Sequence, residues 1–525
     1  PDGLVRTIRD PNGYSVSFTY DSVGNRKTMT DRRGKTYDFD WTPLRQISSI
    51  DLPGSTSINF IYNGNGFLTS VTDPNGNTTK YLPDIYGRTT KVTNPAGYSV
   101  NYGFDVASRV TNASDIHGST SYSYNDSAKT VTINAPDGGV TRMTYNVFGL
   151  LVQAKDPMDR VTSYLYDELD RIKKVTTTNN ISWTTNYSYT DAASQVVTVS
   201  NNAGSATYRY DQLDRLLSVT DTIGNQTKYT FDFLGNLTKL TDAKNHSWSF
   251  ERDALGRVEL QTNPLSKKSS FTYDPEGNVK TSTDERGILT EYGHDPLGRL
   301  VSIATNGYGT ISLTRDDNGN VRNLSDTASN ISIEQRFNSL NRVTSVNIPA
   351  LGRSMSFGYD NRGLRTSRTV NGPLGTTTYG HDSMRRVTRQ TPQGNPAIRY
   401  TYNKDSSLRT ATLLNGLFAD YKYDGIGRLR ELTYKRSSET INSFTYTYNS
   451  KGNRVALADN EGNTSYGYDP LNRLTSANYP DGTWETFRYD AVGNREEHNS
   501  PDGLTTYHYN AGDQLTHSVG ADSAT

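Results

Sequence analysis

Short runs of alternating aromatic and other residues recur along the chain, nearly all closing on an acidic or amide residue. Tyr164 and Tyr166 precede Asp167, Tyr187 and Tyr189 precede Thr190, and Phe271 and Tyr273 precede Asp274. This spacing puts both rings on one face of a strand, because side chains alternate. The junction returns at Tyr20-Asp21, Phe39-Asp40, Tyr62-Asn63, Phe104-Asp105, Tyr124-Asn125, Tyr145-Asn146, Tyr166-Asp167, Tyr210-Asp211, Phe231-Asp232, Tyr273-Asp274 and Phe337-Asn338. It continues at Tyr359-Asp360, Tyr402-Asn403, Tyr423-Asp424, Tyr448-Asn449, Tyr468-Asp469, Tyr489-Asp490 and Tyr509-Asn510. Arg or His takes the aromatic place at Arg252-Asp253, His294-Asp295, Arg315-Asp316 and His381-Asp382. With degenerate copies at Asp84 and Tyr189-Thr190, the interval is close to 21 residues, giving about 24 repeats over residues 1–518 and a tail at 519–525.

Each unit reads aromatic-x-aromatic-Asp-x-x-Gly-Arg/Asn-apolar. Gly24, Gly277, Gly298, Gly427 and Gly493 hold the glycine place, and Arg299 and Arg428 the basic one. Half a repeat later comes a companion Asp/Asn-x-x-Gly, as in Asp73-Pro74-Asn75-Gly76, Asn94-Pro95-Ala96-Gly97, Asp221-Thr222-Ile223-Gly224 and Asp284-Glu285-Arg286-Gly287. Asp or Asn first, Pro second and Gly fourth fit a type I turn followed by a left-handed bulge residue. Two hairpin turns per repeat leave segments of about six residues, such as Ser15 to Tyr20 and Arg215 to Thr220, as strands. No stretch sustains helical apolar spacing, so no substantial helix is expected. Arg215, Leu217 and Val219 share one strand face and Leu216, Ser218 and Thr220 the other. Neither is cleanly apolar, unlike the inner face of a sandwich.

About 48 strands at ~4.8 Å spacing make a ribbon on the order of 230 Å long. Sheets rarely exceed ~10 strands without curling or splitting, so the ribbon is expected to coil. Two or three turns of coil give a tube on the order of 25 to 37 Å across, too wide for side chains to fill. The predicted fold class is therefore all-β: tandem repeats in a spiralling antiparallel sheet, coiled into a hollow shell or barrel. The turns would lie at the ribbon's long edges, where Asp and Arg bond turn backbone and bridge adjacent coils.

Composition agrees with a wall and excludes several functions. Only 33% of the 525 residues are hydrophobic, mean hydropathy is −0.72, and no apolar run is long enough to span a membrane. Low hydrophobicity can mean disorder, but 36 Tyr speak against it, since disordered segments are poor in aromatics. Lys plus Arg and Asp plus Glu are 55 each, so no basic field recruits nucleic acid or an anionic membrane. Cys is absent, which removes disulfides, thiolate nucleophiles and Cys-based zinc sites. The chain starts at Pro1 rather than Met and reads as an excised piece of something longer.

The recurring Tyr-Asp-x-x-Gly-Arg with its Asp-Pro-x-Gly companion resembles the Rhs or YD-repeat family over essentially all of residues 1–518. That family includes bacterial Rhs polymorphic toxins, the B and C components of insecticidal toxin complexes, wall-associated proteins and teneurins. The resemblance implies a spiralling hollow β-shell which, in the bacterial toxins, encloses a C-terminal toxic domain. Toxin-carrying members usually end the repeats with Arg-Tyr-Tyr-Asp and Gly-Arg-Phe segments before a self-cleavage site. Neither string occurs here, and no cleavage aspartates, plug or toxin are assigned.

Other chemistry is better explained by the repeat. His117, His246, His294, His381, His498, His508 and His517 are scattered without the spacing of a shared ligand set. No nucleophile motif accompanies the His-Asp pairs. Prominent carboxylates hold turn positions rather than forming a hydrolytic pair. Asp316-Asp317-Asn318-Gly319-Asn320 lacks the alternating ligands and terminal Glu of a calcium loop. Asn306-Gly307-Tyr308-Gly309 follows no strand-to-helix transition that would cradle a phosphate. The expectation is thus a non-enzymatic encapsulating shell of a bacterial Rhs-type secreted toxin, without cofactor or metal, secreted or at the cell surface as part of a larger polypeptide. Its expected partners are an enclosed toxin domain or other segments of the same polypeptide, with secretion-system components as further candidates. The alternative is a surface or wall-associated binding module whose aromatic strands contact glycans or proteins. The residues expected to carry the repeat are Tyr20, Asp21, Gly24, Tyr166, Asp167, Tyr210, Asp211, Tyr273, Asp274, Gly277, Asp295, Gly298, Arg299, Tyr423, Asp424, Gly427, Arg428, Tyr489, Asp490 and Gly493.

Overall fold

The computed structural model describes residues 3–190, 195–413 and 415–521, so the end of the 519–525 tail lies outside the described residues. It contains 49 β-strands, from Thr7–Arg9 to Leu515–Gly520, in one sheet in which sequence neighbours pair antiparallel. Among the described residues there is no α-helix, and one 3-10 turn spans Pro349–Leu351. Most strands run five to seven residues. Two hairpins are longer, Ile172–Asn179 with Ile181–Thr190 and Leu429–Arg436 with Glu439–Tyr448.

The turn chemistry produces this meander. At Asp21 the amide of Gly24 donates to the Asp21 carbonyl at 3.2 Å and the Asp21 amide donates to the Asn25 carbonyl at 2.9 Å. That is a type I turn closed by a left-handed residue, and Gly24 has φ +86°. The fourth place stays left-handed where Gly is missing: Asp170 has φ +61°, Asp214 +60° and Asn472 +65°, and Asp and Asn tolerate this region best. At most Tyr-Asp turns the register slips by one residue, as between Thr19 and Tyr20 or Thr272 and Tyr273, while the Tyr189-Thr190 copy keeps its register. Most companion turns show no slip, as in Thr72 opposite Thr78, while the longer hairpin Leu429–Arg436 with Glu439–Tyr448 slips between Tyr434 and Lys435. One edge of the ribbon is therefore bulged at most of its turns, which increases local twist.

One assignment shifts. The residue in the aromatic place of the second repeat is Trp41, not Phe39, because the turn is Thr42-Pro43-Leu44-Arg45, closed by the Arg45 amide on the Thr42 carbonyl at 2.9 Å. Asp40 stays in the strand Thr36–Trp41, where Ser49 donates to its carboxylate at 2.9 Å. The Phe39-Asp40 dipeptide mimics the motif two residues early, and only the turn separates the two placements.

The strands are more two-sided than either face looks alone. In Gln226–Phe231, Tyr229 and Phe231 are half-buried while Lys228 and Thr230 are exposed. Tyr229 stands opposite Leu240, as Tyr208 stands opposite Val219 and Tyr81 opposite Val92. Aromatic and aliphatic side chains thus gather on one face as cross-strand pairs. Threonine hydroxyls pair across strands as well, at 2.6 Å for Thr19 with Thr28 and for Thr272 with Thr281. A deep core never forms. Among the described residues the buried hydrophobic side chains are Phe39, Tyr98, Ala411, Ala419 and Ala477. The accessible surface is 29423 Å², against about 19,000 Å² for a compact chain of this mass.

The strands fall into two compact units. The first comprises residues 1–121, 251–260 and 268–395, the second residues 122–250, 261–267 and 396–525. In each unit, companion turns of an early segment abut Tyr-Asp turns of a late one. In the first unit Arg33 donates to the carbonyls of Asp295 and Pro296 at 3.1 and 3.0 Å, and Asn318 Nδ2 donates to Asp73 Oδ2 at 2.7 Å. In the second, Arg160 Nη2 meets Asp405 Oδ2 at 2.6 Å, Lys244 Nζ meets Asp490 Oδ2 at 2.8 Å, and Asn472 Nδ2 donates to the Ala203 carbonyl at 3.2 Å.

Candidate functional site

The recurring Tyr-Asp-x-x-Gly-Arg is a clasp that reaches both backward and forward along the chain. Its carboxylate does two tasks. In Asp167, Oδ1 accepts the amides of Leu169 and Arg171 at 2.9 and 3.0 Å, while Oδ2 accepts Arg171 Nε at 2.7 Å. Asp211, Asp295 and Asp424 repeat this with Arg215, Arg299 and Arg428, each at 2.6 Å. Asp21, Asp274 and Asp490 bind Asn25, Asn278 and Asn494 instead, at 2.9, 2.9 and 3.0 Å.

The arginine then reaches the next repeat. Arg215 Nη1 donates to the Asp232 carbonyl at 2.8 Å and its guanidinium lies 5.4 Å from the Phe231 ring centre. Arg257 lies 4.4 Å over Tyr273, Arg428 4.5 Å over Tyr448 and Arg473 4.9 Å over Tyr489, each a cation–π contact. The tyrosine reaches back. Tyr20 OH donates to the Val5 carbonyl at 2.7 Å, Tyr166 OH to Leu151 at 2.7 Å, Tyr273 OH to Val258 at 2.7 Å and Tyr423 OH to Leu408 at 2.9 Å. Trp41 Nε1 makes the equivalent bond to the Arg26 carbonyl at 2.8 Å, and Arg315 substitutes with Nε and Nη2 on the Leu300 carbonyl. Gly277, Gly298, Gly427 and Gly493 have φ of +95°, +78°, +91° and +103°. These inter-repeat contacts are what the sequence did not disclose. The one signal was Tyr in place of Phe at the motif's second aromatic.

The clasp sets the electrostatics. For Asp105 the Arg109 amide and side chain, the two largest influences, hold the carboxyl below its ordinary range. At Asp167, Asp211 and Asp295 burial is the largest influence and pushes the other way, yet the combined hydrogen bonds and the arginine charge keep each acid low. Burial raises the Tyr166, Tyr273 and Tyr423 phenols.

Hollows at the turn edges are lined by the same groups. In the second unit a cleft of about 720 Å³ is lined by Arg160, Asp405, Arg409, Lys422, Asp424 and Arg430. Asp405 accepts from Arg160 and Ser407 at 2.6 Å each, and Asp424 from Arg428, so both carboxylates are engaged in structure. In the first unit His294 lines a hollow of about 280 Å³ with Arg33, Tyr292 and Asp295. Burial, then Arg362, holds the His381 pKa below the usual imidazole value. The calcium-like segment is a repeat turn: Asp316 Oδ1 accepts the Asn320 amide at 2.8 Å, and Oδ2 takes Asn320 Nδ2 and Asn75 Nδ2 at 2.9 and 3.1 Å.

The comparisons point the same way. A teneurin YD-shell family model matches residues 161–302, and an RHS repeat model matches residues 1–36, 62–99 and 448–483. No curated protein matches the chain. Among solved structures, a TcdB2-TccC3 crystal structure superposes with a TM-score of 0.67 at 13% identity, over 96% of this chain and 36% of that one. A TcdB2-TccC3-TEV structure gives 0.70 at 12% identity, over 97% and 37%. The Photorhabdus luminescens Tc holotoxin pore gives 0.67 at 12% identity, over 91% and 36%. The chain therefore spans little more than a third of the length of these structural neighbours.

Proposed function

We propose that this chain, matched in part by teneurin YD-shell and RHS repeat models and sharing the fold of the Tc toxin shells, is wall: a non-enzymatic encapsulating shell segment of a bacterial Rhs-type secreted toxin, holding a cargo domain until delivery. The observation that carries this reading is a sheet of 49 strands, clasped repeat to repeat, that buries five hydrophobic side chains among the described residues. A sheet that invests its polar groups in edge clasps and builds no core suits enclosing a volume better than filling one. The carboxylates and arginines that could serve catalysis are spent on turns, and the reading gives them no catalytic role. The expected partner is a cargo segment of the same polypeptide, and the expected location is outside the producing bacterium or on its surface.

The test is limited proteolysis of the natural full-length polypeptide. A shell predicts that a segment outside the repeats resists protease until the repeat wall is breached or denatured. Cleavage of that segment at the rate of the isolated segment overturns encapsulation.

A second reading, a surface or wall-associated binding module, is favoured by apolar turn tips. In the second unit Val147 and Phe148 are each 79% exposed and Phe233 is 90% exposed. Retention on bacterial cell-wall glycan that is lost in Phe148→Ser and Phe233→Ser, with cargo unprotected, would favour this reading over the first.

A further inference from the structure

The companion turn Asp242-Ala243-Lys244-Asn245 differs from the turns at Asp73 and Asp221 at one atom. In those two the second carboxylate oxygen is taken by the residue four places on: Asn77 at Asp73, 3.1 Å, and Asn225 at Asp221, 2.9 Å. After Asp242 that residue is His246. Its Nδ1 lies 3.3 Å from Asp242 Oδ2, and neither atom makes a hydrogen bond although both are shut off from solvent. Asp242 is only 9% exposed, and its Oδ1 already accepts the amides of Lys244 and His246 at 2.8 Å each. A buried carboxylate oxygen left unmatched is costly unless a cation or donor completes it.

The third group comes from far along the chain in the same unit. Asp513 ends the turn that starts at Asn510, with φ +60°, and places a carboxylate oxygen so that one ligand atom each of Asp242, His246 and Asp513 lies within 4.8 Å of the others. Lys244 is engaged on Asp490 at 2.8 Å and stands 3.7 Å from Asp513, and Asn494 Nδ2 donates to Asp513 Oδ1 at 3.0 Å.

We infer that Asp242, His246 and Asp513 form a site for a divalent transition-metal ion of the zinc type, which pins the 242–245 turn to the 510–513 turn. Two ligands on a tetrahedral ion with bonds of ~2.0 to 2.1 Å stand about 3.3 to 3.4 Å apart. The Oδ2 to Nδ1 distance of 3.3 Å fits that edge. One imidazole nitrogen with two carboxylates suits zinc better than magnesium or calcium, which take oxygen ligands. Water would fill the fourth position. Such an ion ties segments separated by half the chain, and because only the folded arrangement assembles its ligands, its binding stabilises the folded state by mass action.

The test is calorimetric titration of the chelator-stripped, dialysed chain with Zn²⁺, alongside His246→Asn and Asp513→Asn. His246→Asn restores the arrangement seen at Asp221 and Asn225, so it should fold, as read by its β-type circular dichroism and metal-free melt. The expected result is one equivalent bound, a higher melting temperature when saturated, and loss of that equivalent in both variants. No stoichiometric binding overturns the site. So does an equivalent that survives His246→Asn, which would place it on other histidines, or one that survives Asp513→Asn, which would remove the bridge between turns.

Discussion

A single hydroxyl explains why the repeat prefers tyrosine. Tyr273 and its equivalents close on the carbonyl of the preceding repeat, where phenylalanine could pack but not bond. Tyr273→Phe should therefore lower stability by about 0.5 to 1.5 kcal/mol, read as a drop in denaturant midpoint. Gly298 sits at φ +78° with Arg33 Nη2 3.5 Å from where a Cβ would lie, so Gly298→Val should cost on the order of 1 kcal/mol or more. His294→Phe should be mild, because it returns an aromatic to the repeat place. Equal melts for these two variants would contradict the turn argument. The carboxylates carry a pH prediction. Asp105, Asp167, Asp211 and Asp295 have native pKa values below the ordinary acid, so the unfolded chain binds their protons first as pH falls through that range and the native chain only lower still. Their stabilisation is complete above about pH 5 and disappears as pH drops below about 4 through the native values. Melting temperature measured from pH 6 to pH 2 should fall along that window, and a flat profile would contradict the clasp.

At the scale of the element, the hairpin was legible and its neighbours were not. Asp-x-x-Gly announces a turn whose fourth residue is left-handed, and Gly24, Gly277 and Gly493 all hold that conformation, because the requirement is local to four residues. The reach of Arg257 to the Tyr273 ring spans two strands, and nothing in one repeat states how the next is placed. Phe39-Asp40 was misplaced for a related reason, since the motif alone does not fix phase and the turn at Thr42 does. The seams were less legible still. Arg160 meets Asp405 only because the two ribbon segments stack at one particular offset, and the three ligand groups around Asp242 assemble by the same offset. A double-mutant cycle on Arg160→Met and Asp405→Asn should give a coupling of about 1 kcal/mol in unfolding free energy, since these partly buried groups share a short charged hydrogen bond. Additivity within about 0.3 kcal/mol would remove the seam from the stability of the unit.

At the scale of the whole molecule, low hydrophobicity and abundant tyrosine already implied strands without a dense core, and 29423 Å² of accessible surface agrees. The measurement that bears most directly on the wall is a particle reconstruction of the purified chain, checked by small-angle scattering. An encapsulating shell predicts density confined to a layer one sheet thick around a depleted centre. A filled profile with density continuous to the centre would contradict it.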